Sequence, residues 1–480
     1  MRVLMVAAEA TPYVKVGGLA DVAGILPRHL VEQGCDVELL LPGYSRISRR
    51  ELGFEFAGRL EFPFAGRTAA ADIHRLRRND GVTVSLVDAP AAFLRDGVYD
   101  DPETREGYPD NPERFALFTR VAAELVLAEP PDLVHVHDSH AALLPGLLEV
   151  VVGARLARPV PSILTIHNLA YQLPCSPRVL FQAGFPEQLF FPLSPLEFHG
   201  QGNFLKTGIY YAGAITTVSE RYAQEIQSEE LGAGLDGLLR ERRGDLFGIL
   251  NGIDAEIWNP ETDPLIPARY SSSDLRGKRA CRRSLLQAVG LKARAGTPVI
   301  GMVSRLAEQK GFDLLLAAAE ALCRMDLRLV ILGSGQERYH QSLSELERRH
   351  PGRVSVTFGF DDALAHRIEA GSDFFLMPSL FEPCGLNQMY SMRYGTPPIV
   401  RRTGGLADTV IDCDESSEHG TGFAFDAPRP EALLAKVRSA LTLHQDGARR
   451  VELIRRCMSV DFSARASARK YLDLYQKVAR

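Results

Sequence analysis

Short, largely apolar runs recur along the chain, and each leads into a longer stretch whose apolar residues return every three or four positions. In the first half the runs are Val3–Ala7, Val37–Leu41, Val82–Val87, Leu133–Val136, Ser162–Ile166 and Ile215–Val218. In the second half they are Val299–Val303, Leu327–Leu332, Val354–Phe358, Phe374–Met377, Pro398–Val400 and Gly422–Phe425. A run with little in/out alternation is a strand buried on both faces, and strands alternating with helices imply parallel sheets covered on both sides. The polar stretch Trp258–Arg283, rich in Pro, Ser and Arg, separates the two series. The pattern predicts an α/β fold of two facing, doubly wound, Rossmann-like domains with a catalytic cleft between them. The first is expected over residues 1–250 and the second over 251–460. Residues 461–480 are expected to form a C-terminal helix, centred on Ser463–Val478, that packs back on the first domain. In such sheets ligands bind beyond the carboxyl ends of the strands.

Length and composition narrow this picture without redirecting it. A chain of 480 residues is too long for one ordinary core. A formal net charge of −5 does not advertise a nucleic-acid surface, so an anionic ligand needs a local basic cluster. Seven scattered cysteines without a C-x-x-C pair argue for reduced thiols and against a disulfide frame or zinc ribbon. The run at Val3 meets Glu9 too soon for a signal peptide, and Ala141–Ala157 is broken by Pro145, Glu149 and Arg155. A cytoplasmic protein with no membrane partner is expected.

The candidate chemistry clusters at the ends of the apolar runs. Gly-Gly-Leu-Ala-Asp occurs at Gly17–Asp21 and again at Gly404–Asp408, each time where an apolar run gives way to a helical pattern. Glycine there leaves backbone N–H groups uncovered beside a helix N-terminus, a site suited to a phosphate. Lys15 precedes the first copy, and Arg401 and Arg402 the second. Arg305 and Lys310 share one strand-to-helix loop, and two cations so placed suit a diphosphate. Glu382, between Phe381 and Pro383, follows a buried run; its carboxylate can bind sugar hydroxyls or stabilise positive charge at an anomeric carbon, or simply make a salt bridge. His135-Val136-His137-Asp138-Ser139-His140 admits a metal, acid–base or sugar-binding reading, and His167-Asn168 ends the next run. Gly333-Ser334-Gly335 resembles a dinucleotide fingerprint but has Arg338 in place of the third glycine.

Taken together these segments resemble the glycogen/starch synthase family of retaining glycosyltransferases. The resemblance rests on Lys-Val-Gly-Gly-Leu-Ala-Asp-Val at 15–22, His-Asp at 137–138, His-Asn at 167–168 and Asn-Gly-Ile-Asp at 251–254. It continues in Ser-Arg-Leu with Gln-Lys-Gly at 304–311, Phe-Glu-Pro-Cys-Gly-Leu at 381–386 and Thr-Gly-Gly-Leu-Ala-Asp-Thr-Val at 403–410. It implies the GT-B architecture and transfer of glucose from ADP-glucose to the non-reducing end of an α-1,4-glucan, with no metal and no cofactor. It further implies that Lys15, Arg305 and Lys310 hold the donor diphosphate, and that Gly18, Leu386 and Asn387 line phosphate and glucose. Glu382, His167 and Asn251 would bind the transferred glucose, Asp138 would sit near the reacting carbon, and Phe360 would stack on adenine. Asp21, Asn168, Cys384 and Gly385 complete the expected binding set. UDP-glucose as donor, or a glucan-binding protein of weak activity, are the rival readings.

The chain departs from the family pattern at four positions. Val16 and Asn387 stand where threonine is common, and Tyr390 stands where a wider group of transferases has a second glutamate. Ser139 replaces a common tryptophan that could pack on an acceptor sugar. Changing it to tryptophan is therefore expected to alter glucan affinity more than donor affinity. Of the two pentapeptides, the first is expected to touch the donor and the second to be a supporting turn.

Overall fold

The computed structural model of the protein describes residues 1–294 and 296–479. Two compact units emerge, Met1–Gly252 with Ala464–Arg480, and Ile253–Ser463.

The first unit is built on nine strands of one sheet and a small second sheet. In chain order the strands are β1 (Arg2–Val6), β2 (Asp36–Pro42), β3 (Glu55–Phe64), β4 (Arg67–Arg77), β5 (Thr83–Asp88), β6 (Leu133–His137) and β7 (Ser162–Ile166). They are followed by β8 (Pro174–Cys175), β9 (Glu197–Phe198), β10 (Gln201–Asn203), β11 (Ala214–Thr217) and β12 (Leu246–Gly248). The main sheet runs β12-β11-β7-β6-β1-β2-β5-β4-β3, while β8, β10 and β9 pair separately. All neighbours from β12 to β5 are parallel, and β4 is antiparallel to both β5 and β3.

The hairpin β3–β4 is a departure from the purely parallel expectation. Its pattern hides it: Glu55, Arg59 and Glu61 alternate along an edge strand that stays largely exposed, so no apolar run marks it. The central strands behave as their runs predict. Leu133, Val134, Val136, Ile163, Leu164 and Ile166 are all fully buried. Burying each such side chain is worth about 1.5–3 kcal/mol relative to leaving it exposed.

The second unit holds β13 (Val299–Leu306), β14 (Arg328–Gly335), β15 (Val354–Phe358), β16 (Phe374–Met377), β17 (Pro398–Arg401) and β18 (Phe423–Phe425). Their order is β15-β14-β13-β16-β17-β18, parallel throughout. Numbered within the unit this is 3-2-1-4-5-6, the doubly wound Rossmann order. Gly333 and Gly335 lie inside β14, where an added Cβ would fall 2.1 Å from the Ser304 carbonyl and 2.3 Å from that of Leu306. Close strand packing therefore explains this glycine pair.

The chain ends in the helix Ala464–Val478. Ala464, Ala468, Tyr471 and Tyr475 fall on one stripe and are buried against the first unit. Ser467 donates to the Leu250 carbonyl at 2.8 Å, and Tyr475 meets His135 at 2.6 Å. Among the described residues no helix is long and apolar enough to cross a membrane.

Candidate active site

Each doubly wound sheet has one place where the chain reverses its winding, and ligands bind there because two adjacent loops diverge and leave a crevice. In the first unit the reversal lies between β1 and β6; in the second it lies between β13 and β16. Most of the residues with candidate chemistry lie in or next to the loops at these two points, whereas Asn251 follows the edge strand β12 and Phe360 the edge strand β15.

In the first unit, the segment after β1 carries Glu9, Lys15 and the first pentapeptide, whose Gly18 opens the helix Gly18–Glu32. Lys15 Nζ meets Asp21 Oδ1 at 2.7 Å, and Lys15, Val16, Gly17 and Gly18 are exposed. Two of the backbone donors expected to lie open here, those of Val16 and Gly17, are taken. Glu9 Oε2 accepts the N–H groups of Val16 and of Gly17, the latter at 3.0 Å, and Tyr99 donates to Glu9 Oε1 at 3.3 Å. A carboxylate buried at the end of β1 thus holds the loop, and burial raises its pKa. Neither Glu9 nor Tyr99 is among the site residues that the sequence predicts. The signal was present in one charged residue directly abutting an apolar strand.

On the other side of the crevice, β6 ends in His137 and Asp138. Asp138 adopts φ 56°, a left-handed conformation rare outside glycine. This turns its carboxylate toward β7, where Oδ1 accepts the N–H of His167 at 2.7 Å and of Asn168 at 3.4 Å. Burial, reinforced by the charge of Glu9, pushes the Asp138 carboxyl up to about 7 against these two donors. Asn168 turns its own Oδ1 to the Ala170 N–H at 3.1 Å.

The His cluster is internal rather than a metal cradle. His135 is bonded through one ring nitrogen to Tyr475 and through the other to Thr165, both at 2.6 Å. His137 Nδ1 meets His167 Nε2 at 3.0 Å. Ser139 is 1% exposed, at the first turn after Asp138, so a tryptophan there would overpack the interior. The position is therefore interior in this structure. Asn251, also buried, has an Oδ1 with no partner among the described residues.

In the second unit, Arg305 is exposed at the end of β13, and Lys310 follows in a short turn capped by Gly311. An added Cβ on Gly311, at φ 76°, would lie 2.0 Å from the Pro378 carbonyl. Only glycine lets this loop lie so close to the one after β16. The two loops are also tied by Leu380 N–H to the Gln309 carbonyl at 2.8 Å. This contact delivers Lys310 to Glu382: Nζ lies 2.8 Å from Oε1 and 2.7 Å from Oε2. Ser379 adds a hydroxyl donor to Oε2 at 3.0 Å, and Glu382 is buried. The carboxylate is therefore fully partnered, as a charge out of water must be.

Cys384 and Gly385 continue that loop. Asn387 opens the next helix and donates from Nδ2 to the Val303 carbonyl at 2.7 Å, so one amide hydrogen is committed to β13. The second pentapeptide lies directly behind. Gly405 N–H donates to the carbonyls of Glu382 and Pro383 at 3.1 and 3.0 Å. Arg401 donates from Nε to the Ser379 carbonyl at 2.8 Å and from Nη2 to that of Leu380. Phe360 stands apart at the end of β15, 85% exposed.

Comparison with known proteins identifies the family. Residues 2–241 match the starch synthase catalytic domain, and residues 288–456 match glycosyl transferases group 1. The chain is 45% identical to the glycogen synthase of Anaeromyxobacter dehalogenans (strain 2CP-C), with all of both chains aligned. It is 45% identical to that of Myxococcus xanthus, over 99% of each. The chain belongs to the glycogen/starch synthase family. Among solved structures, the catalytic domain of Starch Synthase IV from Arabidopsis thaliana, bound to ADP and acarbose, aligns with a TM-score of 0.90 at 33% identity, covering 99% of both chains. Sucrose-phosphate synthase from Thermosynechococcus elongatus, at 15% identity and a TM-score of 0.60, shares the fold. As a member of the glycogen/starch synthase family the protein is a retaining glycosyltransferase of GT-B architecture.

Proposed function

We propose that the protein transfers glucose from ADP-glucose to the non-reducing end of an α-1,4-glucan, with retention of configuration, as a glycogen synthase in the cytoplasm. The observation that carries this reading is the loop pair at the second reversal point. There a cation and a carboxylate, Lys310 and Glu382, are fixed against each other beside Arg305. Full-length likeness to glycogen synthases, and to a starch synthase solved with ADP, supports a nucleotide-sugar donor and a glucan acceptor.

In this reading Arg305, Lys310 and Lys15 bind the diphosphate and stabilise the charge that builds as ADP departs. The ion pair adds a step: when diphosphate oxygens arrive, Lys310 is shared between them and Glu382. Glu382 then turns part of its hydrogen-bonding capacity to glucose hydroxyls, assisted by His167 and Asn251. Gly18, Cys384, Gly385, Leu386 and Asn387 line phosphate and sugar, Phe360 stacks on adenine, and Asp138 stabilises the oxocarbenium-like state. Asp21 and Asn168 fix the loops that carry Lys15 and His167. The departing diphosphate takes the acceptor proton, so the same-face reaction needs no protein nucleophile.

Nucleotide release from purified protein supplied with glycogen and either ADP-glucose or UDP-glucose tests the reading. Release from ADP-glucose with elongation of the glucan is expected. Preference for UDP-glucose would overturn the donor assignment, and release from neither would leave only glucan binding.

A further inference from the structure

The His137–His167 contact has one hydrogen to place and two ways to place it. At 3.0 Å, His137 Nδ1 and His167 Nε2 share a single N–H, donated by one ring to the other. Both rings are neutral, because burial drives His137 well below the usual histidine range and His167 down to about 3. A neutral imidazole has one N–H, so the choice at this contact fixes the far nitrogen of each ring.

The far nitrogen of His137 decides the matter. His137 is fully buried, and its Nε2 has no partner among the described residues. The ring of His135 packs 4.1 Å away by centroids, but its two nitrogens are engaged by Tyr475 and Thr165. If His167 donated, His137 would carry its hydrogen on Nε2, leaving a buried N–H with no acceptor. If His137 donates, Nε2 is only a bare lone pair. Orphaned buried donors are the costlier case and are rare in proteins.

We infer that His137 is a positioning residue that donates from Nδ1 to His167 Nε2 and so fixes His167 as the Nδ1–H tautomer. His167 is half-buried, and among the described residues its ring makes its one hydrogen bond through Nε2, to His137, leaving Nδ1 unengaged. It therefore presents a hydrogen-bond donor to the crevice. It can donate to a sugar oxygen but has no lone pair there to take up a proton, so it does not serve as a base at that edge. The functional consequence rests on the reading of His167 as a glucose-binding residue; the tautomer itself does not.

The test is long-range 1H–15N correlation spectroscopy of the full-length protein labelled with 15N-histidine. The chain has 12 histidines, and the His167 signals are assigned by their loss in His167→Asn. The expected result is a pyrrole-type Nδ1 and a pyridine-type Nε2 for His167 in the wild type. The reverse pattern would overturn the inference. In His137→Phe, His167 is expected to populate both tautomers and kcat to fall about tenfold, the effect of one lost hydrogen bond. A single Nδ1–H tautomer persisting in a folded His137→Phe variant would remove His137 from the role. Should that variant not fold, the wild-type spectrum still decides. Full activity in His167→Asn, with the expected tautomer in the wild type, would instead retire the glucose-binding role of His167.

Discussion

The same five residues, Gly-Gly-Leu-Ala-Asp, stand in opposite environments in the two units. The first copy is exposed over its two glycines, and its loop follows β1, which borders the reversal of its sheet. The second is buried at Gly404, Gly405 and Leu406, and it follows β17, one strand away from the reversal. The loops that border a reversal face a crevice, whereas the next loop along can only brace them. Position in the winding, not the peptide, separates an exposed loop from a buried turn.

The electrostatics differ in the same way. At the second reversal the buried carboxylate is neutralised by a cation, Lys310 on Glu382. At the first, Glu9 and Asp138 are two carboxylates held by backbone N–H groups, and burial raises the pKa of both. Asp138, pushed up to about 7, is thus the group expected to respond to pH near neutrality.

Four experiments sharpen or break this contrast. The largest effect is expected from Lys310→Ala. Turnover should fall by two orders of magnitude or more, since one charge-assisted phosphate contact is worth about 3–4 kcal/mol in the transition state. Because the variant also leaves Glu382 buried without its cation, thermal unfolding should show a loss of about 3 kcal/mol, which Lys310→Ala/Glu382→Gln partly restores. Near-normal kcat would remove Lys310 from the donor site.

Gly405→Ala tests the second copy. Its Cβ would lie 2.1 Å from the Cys384 carbonyl oxygen and 2.6 Å from the Cys384 Cα, so the loop carrying Glu382 must shift. We expect a destabilisation of about 2–3 kcal/mol by denaturant titration, together with a fall in kcat. A stable, active variant would show that the second copy does not brace that loop.

Asp138→Asn tests the first crevice through pH. The carboxyl has its proton affinity raised in the folded state, from an ordinary 3.8 to about 7. Wild-type stability is therefore reduced as pH rises through the window from about 4 to 7, where the unfolded chain ionises and the folded one resists. The asparagine variant should be more stable than wild type at pH 8 by about 4 kcal/mol, and the gain should vanish by pH 4. A gain that is constant with pH would contradict the shifted carboxyl.

The smallest effect is expected from Gly17→Ala. Its backbone is extended, and the nearest atom to an added Cβ is Glu9 Oε1 at 3.7 Å. Stability should change by no more than about 0.5 kcal/mol. A loss comparable to that of Gly405→Ala would erase the distinction between the copies.

The sequence by itself determined the two wound sheets, because strands buried on both faces must be apolar along their length, and that pattern is local. It also placed the chemistry at strand ends, since polar residues that interrupt such runs lie where the strands stop. The edge hairpin β3–β4 escaped, because a strand with one solvated face need not look apolar. What only the tertiary structure decided were the pairings: Glu9 with the first pentapeptide, Lys310 with Glu382, and His137 with His167. Each joins loops or strands separated in sequence and made neighbours by the order of a sheet. A buried polar group must find a partner, and which partner is near depends on that order rather than on the residues beside it.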